Sequence, residues 1–343
     1  MTEAAGAPPR CPEEKPPTRE PYSSGARAAG VAGVSVVVPT LDTREMTTRC
    51  VEAALGSKLP PGVALEVVVV DDGSRDGTAE ALAGRGGVEV VRNEAPTGYS
   101  RAVNRGVSRT RGDVLVLLNS DALLDEGSLV AVAEAFAEDA RLGVAGAALF
   151  YPDGAPQWSA GREPGLAWLF AQASGLPALL GRLSLWRRAK PLHAGEPRDV
   201  GWVTGAAMAV RRETWRAHGP LDEGYAFYGQ DLDLCLRARD GGWRVRHLPA
   251  FRAVHHHGAT IATRGGDTIG HANLALLWGD LVRWAGKRRG AAYARRARAA
   301  LRAGATLRLC ALTLAAPFAP RLRPARDGVR SGFEAFRMPQ NQT

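Results

Sequence analysis

The chain has only four cysteines in 343 residues, and Cys11, Cys50, Cys235 and Cys310 lie far apart with no CxxC spacing. That excludes a disulfide framework and a cysteine zinc knuckle, and fits a reducing compartment. No N-terminal run combines a basic start, an apolar stretch and a cleavage site, so no secretory leader is expected. Residues 1–30, rich in Pro, Gly, Ala, Glu and Arg, read instead as a disordered tail. The apolar stretch 309–319 is too short to span a bilayer. No GxGxxG fingerprint opens the first strand-to-helix turn and no GxxxxGK[ST] loop occurs, which removes support from dehydrogenase and P-loop readings. Aromatics make up only 6% of the chain, and its basic residues are not interleaved with them in a recognisable reader module, so nucleic acid is not an expected partner.

What is present is a globular makeup, 45% hydrophobic and 23% charged, enough for one large domain or two ordinary ones. The net charge of +9 is concentrated late. From residue 283 to 330, basic clusters such as Lys287-Arg288-Arg289 alternate with Ala and Leu, the makeup of basic amphipathic helices. Two readings fit: a helical hairpin packing on the preceding domain, or surface contact with anionic lipid at the inner face of the cell membrane by a cytoplasmic protein.

Short apolar runs at 34–38, 66–70, 88–91 and 114–118 alternate with helical patterns at 45–55, 78–83, 100–109 and 126–137. Continuous Val and Leu runs suit strands buried on both faces, so the alternation implies an α/β, Rossmann-like, mostly parallel sheet flanked by helices. Polar residues close each run: Pro39-Thr40-Leu41-Asp42, Asp71-Asp72-Gly73-Ser74, Arg92-Asn93-Glu94 and Asn119-Ser120-Asp121. In open α/β sheets that edge is where ligands bind. The carboxylates of the second turn could accept hydrogen bonds from a base imide or ribose hydroxyls. Equally, Asp76 could simply cap an ordinary turn before the helix.

Five blocks in order carry a specific resemblance: Val34 to Thr40; Val69-Val70-Asp71-Asp72-Gly73-Ser74-Arg75-Asp76-Gly77-Thr78; Asn93 through Gly98 with Asn104 and Gly106; Gly112 through Asp121; and Gly205-Ala206-Ala207-Met208 on to Arg237. Over roughly residues 33–260 the chain resembles the inverting family 2 glycosyltransferases of the GT-A fold. The resemblance implies a nucleotide-binding half at 31–124 and an acceptor-side half at 125–262, and the basic helical pattern beyond them is read as an extension at 263–343. It implies a nucleoside-diphosphate sugar donor, a glycan or lipid-linked acceptor hydroxyl, and a Mg²⁺ or Mn²⁺ cofactor. Asn119-Ser120-Asp121 and the Gly-Tyr-Ala-Phe-Tyr run from Gly224 are similar to a rhamnosyltransferase-like branch, which suggests dTDP-rhamnose and cell-wall or surface polysaccharide synthesis.

The chemistry of these residues agrees. A sugar leaving a diphosphate builds negative charge on the β-phosphate, which a divalent cation neutralises, and hard cations prefer oxygen ligands such as Asp121. Asn119 stands where the family often has Asp, so Asp121 alone is carried over as a carboxylate ligand. In His255-His256-His257 the first histidine is the expected second ligand and His257 the next candidate. A ligating imidazole is neutral, so activity is expected to fall below about pH 6.5. Asp231 is the expected general base, in a Gln230-Asp231 pair where the family has Glu-Asp. Asp233 is expected to pair with Arg237 at i+4. Thr40, Asp42, Asp71, Asp72, Arg101, Asn104, Asn119 and Ser120 are the implied donor-binding set. Trp202, Trp215, Tyr225, Phe227, Tyr228 and Trp243 are acceptor-side aromatics, with 151–200 as an acceptor loop or lid. A nucleotide-sugar-binding scaffold without turnover and a sugar nucleotidyltransferase are the competing readings.

Overall fold

The computed structural model describes residues 30–176, 196–226, 228–256, 274–319 and 322–337. Phe227, His257 and most of the second half of the 151–200 insert fall outside these residues, and so do the expectations attached to them.

Four strands and three helices alternate first: β1 (Gly33–Thr40), α1 (Arg44–Leu55), β2 (Ala64–Asp71), α2 (Thr78–Leu82), β3 (Val88–Arg92), α3 (Tyr99–Val107) and β4 (Val114–Leu118). These strands form a parallel sheet in the order β3-β2-β1-β4, each close to its expected position. Beyond β4 the sheet becomes mixed. After β5 (Ala122–Leu124), α4 (Ser128–Glu138), β6 (Leu142–Phe150), β7 (Ala160–Gly161), α5 (Leu166–Ser174), β8 (Arg198–Asp199) and β9 (Trp202–Val203) comes β10 (Ala207–Arg211), which lies antiparallel between β4 and β6. Then α6 (Arg212–His218), α7 (Gln230–Asp240) and β11 (Arg244–His255) complete the expected domain. β11 runs parallel to β6 and antiparallel to β5.

Alternation along the strands divides the core in two. Val34, Val36 and Val38 of β1, with Val114, Val116 and Leu118 of β4, bury on the face covered by α1 and α4. Val37, Leu115 and Leu117 bury on the other face, against α3, α5 and α7. Helix α3 approaches the sheet closely at Gly106, where a Cβ would run into Val37 Cγ1 and come within 2.9 Å of Val70 Cγ2.

The basic C-terminal segment forms α8 (Leu274–Ala315), interrupted at Gly290, whose φ is 83°, and α9 (Arg323–Arg337). Trp278, Leu281, Trp284, Ala297, Leu301, Ala305 and Phe336 join the same core as Met208 and Val210, so of the two sequence readings the described residues show packing on the domain. Among them, no helix is long and apolar enough to cross a membrane.

Candidate functional site

The expected metal ligands meet because two strand ends are neighbours. β11 pairs with β5 so that His255 lies opposite Ala122, and the His256 N–H donates to the Asp121 carbonyl at 2.9 Å. This brings His255 Nε2 to 3.3 Å from Asp121 Oδ1, with both side chains buried. Two adjacent ligands of one octahedral ion with bonds of about 2.1 Å would stand roughly that far apart. The oxygen-and-imidazole pair therefore fits Mg²⁺ or Mn²⁺. Among the described residues no group of three or more His, Cys, Asp or Glu side chains is placed to hold a metal.

Gln157, which sequence reasoning did not single out, fixes the imidazole. Its Nε2 donates to the His255 carbonyl at 2.5 Å, and its Oε1 lies 3.0 Å from His255 Nδ1. An amide oxygen there can accept from Nδ1–H, which orients the ring with Nε2 toward Asp121. No motif marks Gln157, since it lies in the irregular segment before β7.

Asp231 sits in the first turn of α7. Gly229, in a left-handed conformation with φ 90°, turns the chain into that helix. Asp231 Oδ2 accepts the Gly205 N–H at 2.9 Å, and Oδ1 accepts its neighbour Leu232 N–H at 2.7 Å. Burial outweighs these bonds and holds the carboxyl above the ordinary carboxylate range. Tyr99 lies near enough to both Asp231 and Asp121 to feel their charges, and its hydroxyl donates to the Gly205 carbonyl at 3.2 Å. Burial, reinforced by the charges of Asp231 and Asp121, raises its pKa and keeps the phenol protonated. Tyr99 lies inside the Gly98-Tyr99-Ser100-Arg101 block, yet its role shows only once β10 and α7 are in place.

Six of the eight implied donor residues lie at the carboxyl edge of β1, β2 and β4, and most are engaged with neighbouring loops. Asp72 accepts the Thr97 and Gly98 N–H groups at 2.9 Å each and Asn93 Nδ2 at 2.6 Å, which shapes the 93–98 loop. Asp42, at φ 51°, accepts the Arg75 N–H at 2.7 Å. Asn and Asp tolerate such a φ better than other residues with a Cβ, a physical reason for this position to carry either. Thr40 and Ser120 belong to one buried hydroxyl cluster with Thr43 and Thr47. Asp71 is fully buried; Oδ1 accepts the Ser74 N–H at 2.8 Å, while Oδ2 accepts no hydrogen bond. Asn119 is partly exposed at the end of β4. Asn104 and Arg101 on α3 reach instead to the segment before α7: Asn104 exchanges hydrogen bonds with the Leu221 backbone, and Arg101 pairs with Glu223 at 3.0 Å.

Asp233 pairs with Arg237 at 2.8 Å, as its i+4 spacing suggested. Trp202, Tyr225 and Trp243 are core residues. The exposed aromatic near the site is Trp158, 48% exposed and backed edge-on by Trp202 at 5.0 Å. Its segment runs beside the one leading to Gly205, since the Thr204 N–H donates to the Ser159 carbonyl at 2.9 Å.

Residues 35–204 match the family described as Glycosyl transferase family 2. An N-acetylglucosaminyl-diphospho-decaprenol L-rhamnosyltransferase of Mycobacterium tuberculosis is 31% identical over 209 residues, 56% of this chain and 66% of the relative's length. An uncharacterized glycosyltransferase of Mycobacterium bovis, Mb0553, is 30% identical over 217 residues, 63% of this chain and 83% of its own length. The mannosyltransferase PcManGT from Pyrobaculum calidifontis, solved with GDP-Man and Mn²⁺, has the same fold, with a TM-score of 0.55 at 18% identity over 90% of this chain and 86% of that one. With the parallel sheet, the strand-end carboxylate and these relationships in place, the chain belongs to glycosyl transferase family 2 and has its GT-A fold.

Proposed function

We propose that the protein is an inverting, metal-dependent glycosyltransferase that moves a deoxyhexose, with rhamnose the leading choice, from a nucleoside diphosphate to a hydroxyl of a lipid-linked glycan. One observation carries this reading: a buried carboxylate–imidazole pair, Asp121 with His255, and a half-buried carboxylate, Asp231, both lie near Tyr99. That arrangement supplies one pole for the departing diphosphate and one for the attacking hydroxyl.

Asp121 and His255 would hold the cation, which when bound neutralises charge developing on the leaving β-phosphate. Asp231 accepts the proton of the acceptor hydroxyl as it attacks the anomeric carbon from the face opposite the diphosphate. A single displacement of this kind inverts the anomeric centre and needs no covalent intermediate. Burial disfavours the charged form of Asp231, which raises its proton affinity toward the working pH. Gln230 contributes no second charge here. Tyr99, kept protonated, ties the start of α3 to the Gly205 peptide. Trp158 presents an exposed ring on the acceptor side, suited to the CH face of a pyranose. Support for rhamnose comes from the M. tuberculosis relative, whose name states an N-acetylglucosaminyl diphosphate lipid acceptor.

The test is a panel of nucleotide sugars with Mn²⁺ and an N-acetylglucosaminyl diphosphate lipid, scored for release of nucleoside diphosphate. dTDP-rhamnose should turn over fastest, Asp121→Ala should abolish turnover, and Trp158→Ala should raise the acceptor KM several-fold with little change in the donor's. Release of pyrophosphate would favour a nucleotidyltransferase, and tight donor binding with no release from any donor would favour a scaffold.

A further inference from the structure

Helix α8 lies outside both the family match and the sequence resemblance, yet one stripe of it grips the segment that delivers Asp231. Asp280, Arg283 and Lys287, spaced i, i+3 and i+7, share a helix face. Asp280 is buried, 4% exposed, and its two oxygens accept the Ala226 N–H at 2.9 Å and the Tyr228 N–H at 2.8 Å. Lys287 Nζ lies 2.7 Å from Asp222 Oδ2 and 2.9 Å from Asp233 Oδ2, so one ammonium joins the two ends of the segment. Arg283 lies 3.5 Å from Asp222 and, like Lys287, faces the ring of Tyr225, whose hydroxyl donates to Asp233 at 3.3 Å.

We propose that Asp280 is a positioning residue for the catalytic base: from the C-terminal extension it clamps the backbone of Ala226 and Tyr228 and so sets where α7 presents Asp231. The physical need is local. Gly229, immediately after Tyr228, adopts φ 90°, which a glycine leaves as readily as it enters. Hydrogen bonds of backbone N–H to a charged acceptor are stronger than neutral ones, and a buried carboxylate with two N–H partners is held on both sides. The base two residues beyond Gly229 then inherits a fixed orientation. A displacement of about 1 Å in such a group can cost on the order of a hundredfold in rate. This inference rests on the reading of Asp231 as the base.

The full-length protein with Asp280→Asn, Asp280→Ala or Asp231→Asn is assayed with dTDP-rhamnose, Mn²⁺ and the N-acetylglucosaminyl diphosphate lipid, alongside dTDP affinity and amide hydrogen exchange. Asp280→Ala should lower kcat tenfold or more with dTDP affinity within twofold of wild type. Asp280→Asn, which keeps one acceptor oxygen, should fall between Asp280→Ala and wild type. Exchange should accelerate at 224–232 while the amides of β1 and β4 remain protected. Exchange unchanged at 224–232 overturns the clamp whether or not this donor turns over. Faster exchange there with wild-type kcat overturns the positioning role, and so does a loss of kcat matched by lost dTDP affinity and lost protection throughout. Wild-type turnover in Asp231→Asn would sink the base assignment itself, while the exchange result would still decide the clamp.

Discussion

The proposed donor and acceptor sides of the site are built in different ways. At the donor side, acidic side chains are satisfied by loops close at hand: Asp72 by residues 93–98, Asp42 by Arg75, and Asp76 by the N–H groups of Arg44 and Thr78. These carboxylates organise backbone that a nucleotide would then meet. At the acceptor side, Asp231 takes its external hydrogen bond from Gly205, and the backbone before it is held by Asp280, far along the chain. One side is self-supporting and the other is assembled from separate segments. Substitutions at the first should therefore act through stability, and substitutions at the second through rate.

The largest expected effect tests the second half of that statement. Asp231→Asn should reduce turnover by about 10²–10⁴-fold, the range for loss of a general base. Its melting temperature should not fall. The folded-state pKa of Asp231 is raised by burial, so its favourable contribution is present at pH below the ordinary carboxylate pKa and is lost as pH rises through the raised value. Asn removes the cost of burying a carboxylate there but gives up one of its two N–H acceptors, so little net change is expected. Melting and turnover measured together at pH 7.5 check this, and a destabilised Asp231→Asn protein would erase the distinction between the halves. For the same reason the acid limb of kcat/KM attributable to this base should lie above about 3.9, the ordinary Asp value.

Asp72→Ala should show the opposite pattern. It strands the N–H groups of Thr97 and Gly98 and the Asn93 amide, and each buried unsatisfied donor costs about 1–3 kcal/mol. With water reaching part of the loop, a loss of about 2–3 kcal/mol in denaturant unfolding is expected. Turnover per folded molecule should change less than in Asp231→Asn. Gln157→Leu comes next. It removes the partners of the buried His255 Nδ1 and carbonyl, so it should weaken Mn²⁺ affinity about 10–100-fold by metal titration in the presence of dTDP and cost about 1–3 kcal/mol of stability.

The same contrast explains what could be read from the chain. The strands at the donor side announce themselves as continuous Val and Leu runs, and the polar residues closing them fall at one sheet edge by topology alone. Asp121 was legible because its strand was. Its partnership with His255 required the β5–β11 pairing, which no local pattern specifies, and the resemblance supplied it. Tyr99 lay just after a recognised block without a visible task, since its hydroxyl is meaningful only beside Gly205. Gln157 and Asp280 carried no signal: one sits in an irregular segment, the other on a helix whose basic residues drew attention to charge. The aromatic expectation fell on Trp202, which is buried behind the exposed ring of Trp158. Helix α8 could be read as amphipathic, but its partner face could not.

The smallest effect is also the sharpest control. Arg101 and Asn104 both reach from α3 to the 221–223 segment, so on geometry they bridge the two halves. The Arg101–Glu223 pair is solvent-exposed at 60% and 44% of its side chains. Exposed ion pairs contribute about 0–1 kcal/mol and are screened by salt. Arg101→Ala should therefore shift stability by no more than about 0.5 kcal/mol, with any shift vanishing at high ionic strength. Asn104→Ala loses bonds to the Leu221 N–H and carbonyl, which salt does not screen, and its effect should persist. If Arg101→Ala instead lowered dTDP affinity tenfold at unchanged stability, Arg101 would be a donor ligand that leaves Glu223 on binding. The donor side would then contain at least one group held in reserve rather than spent on its own architecture.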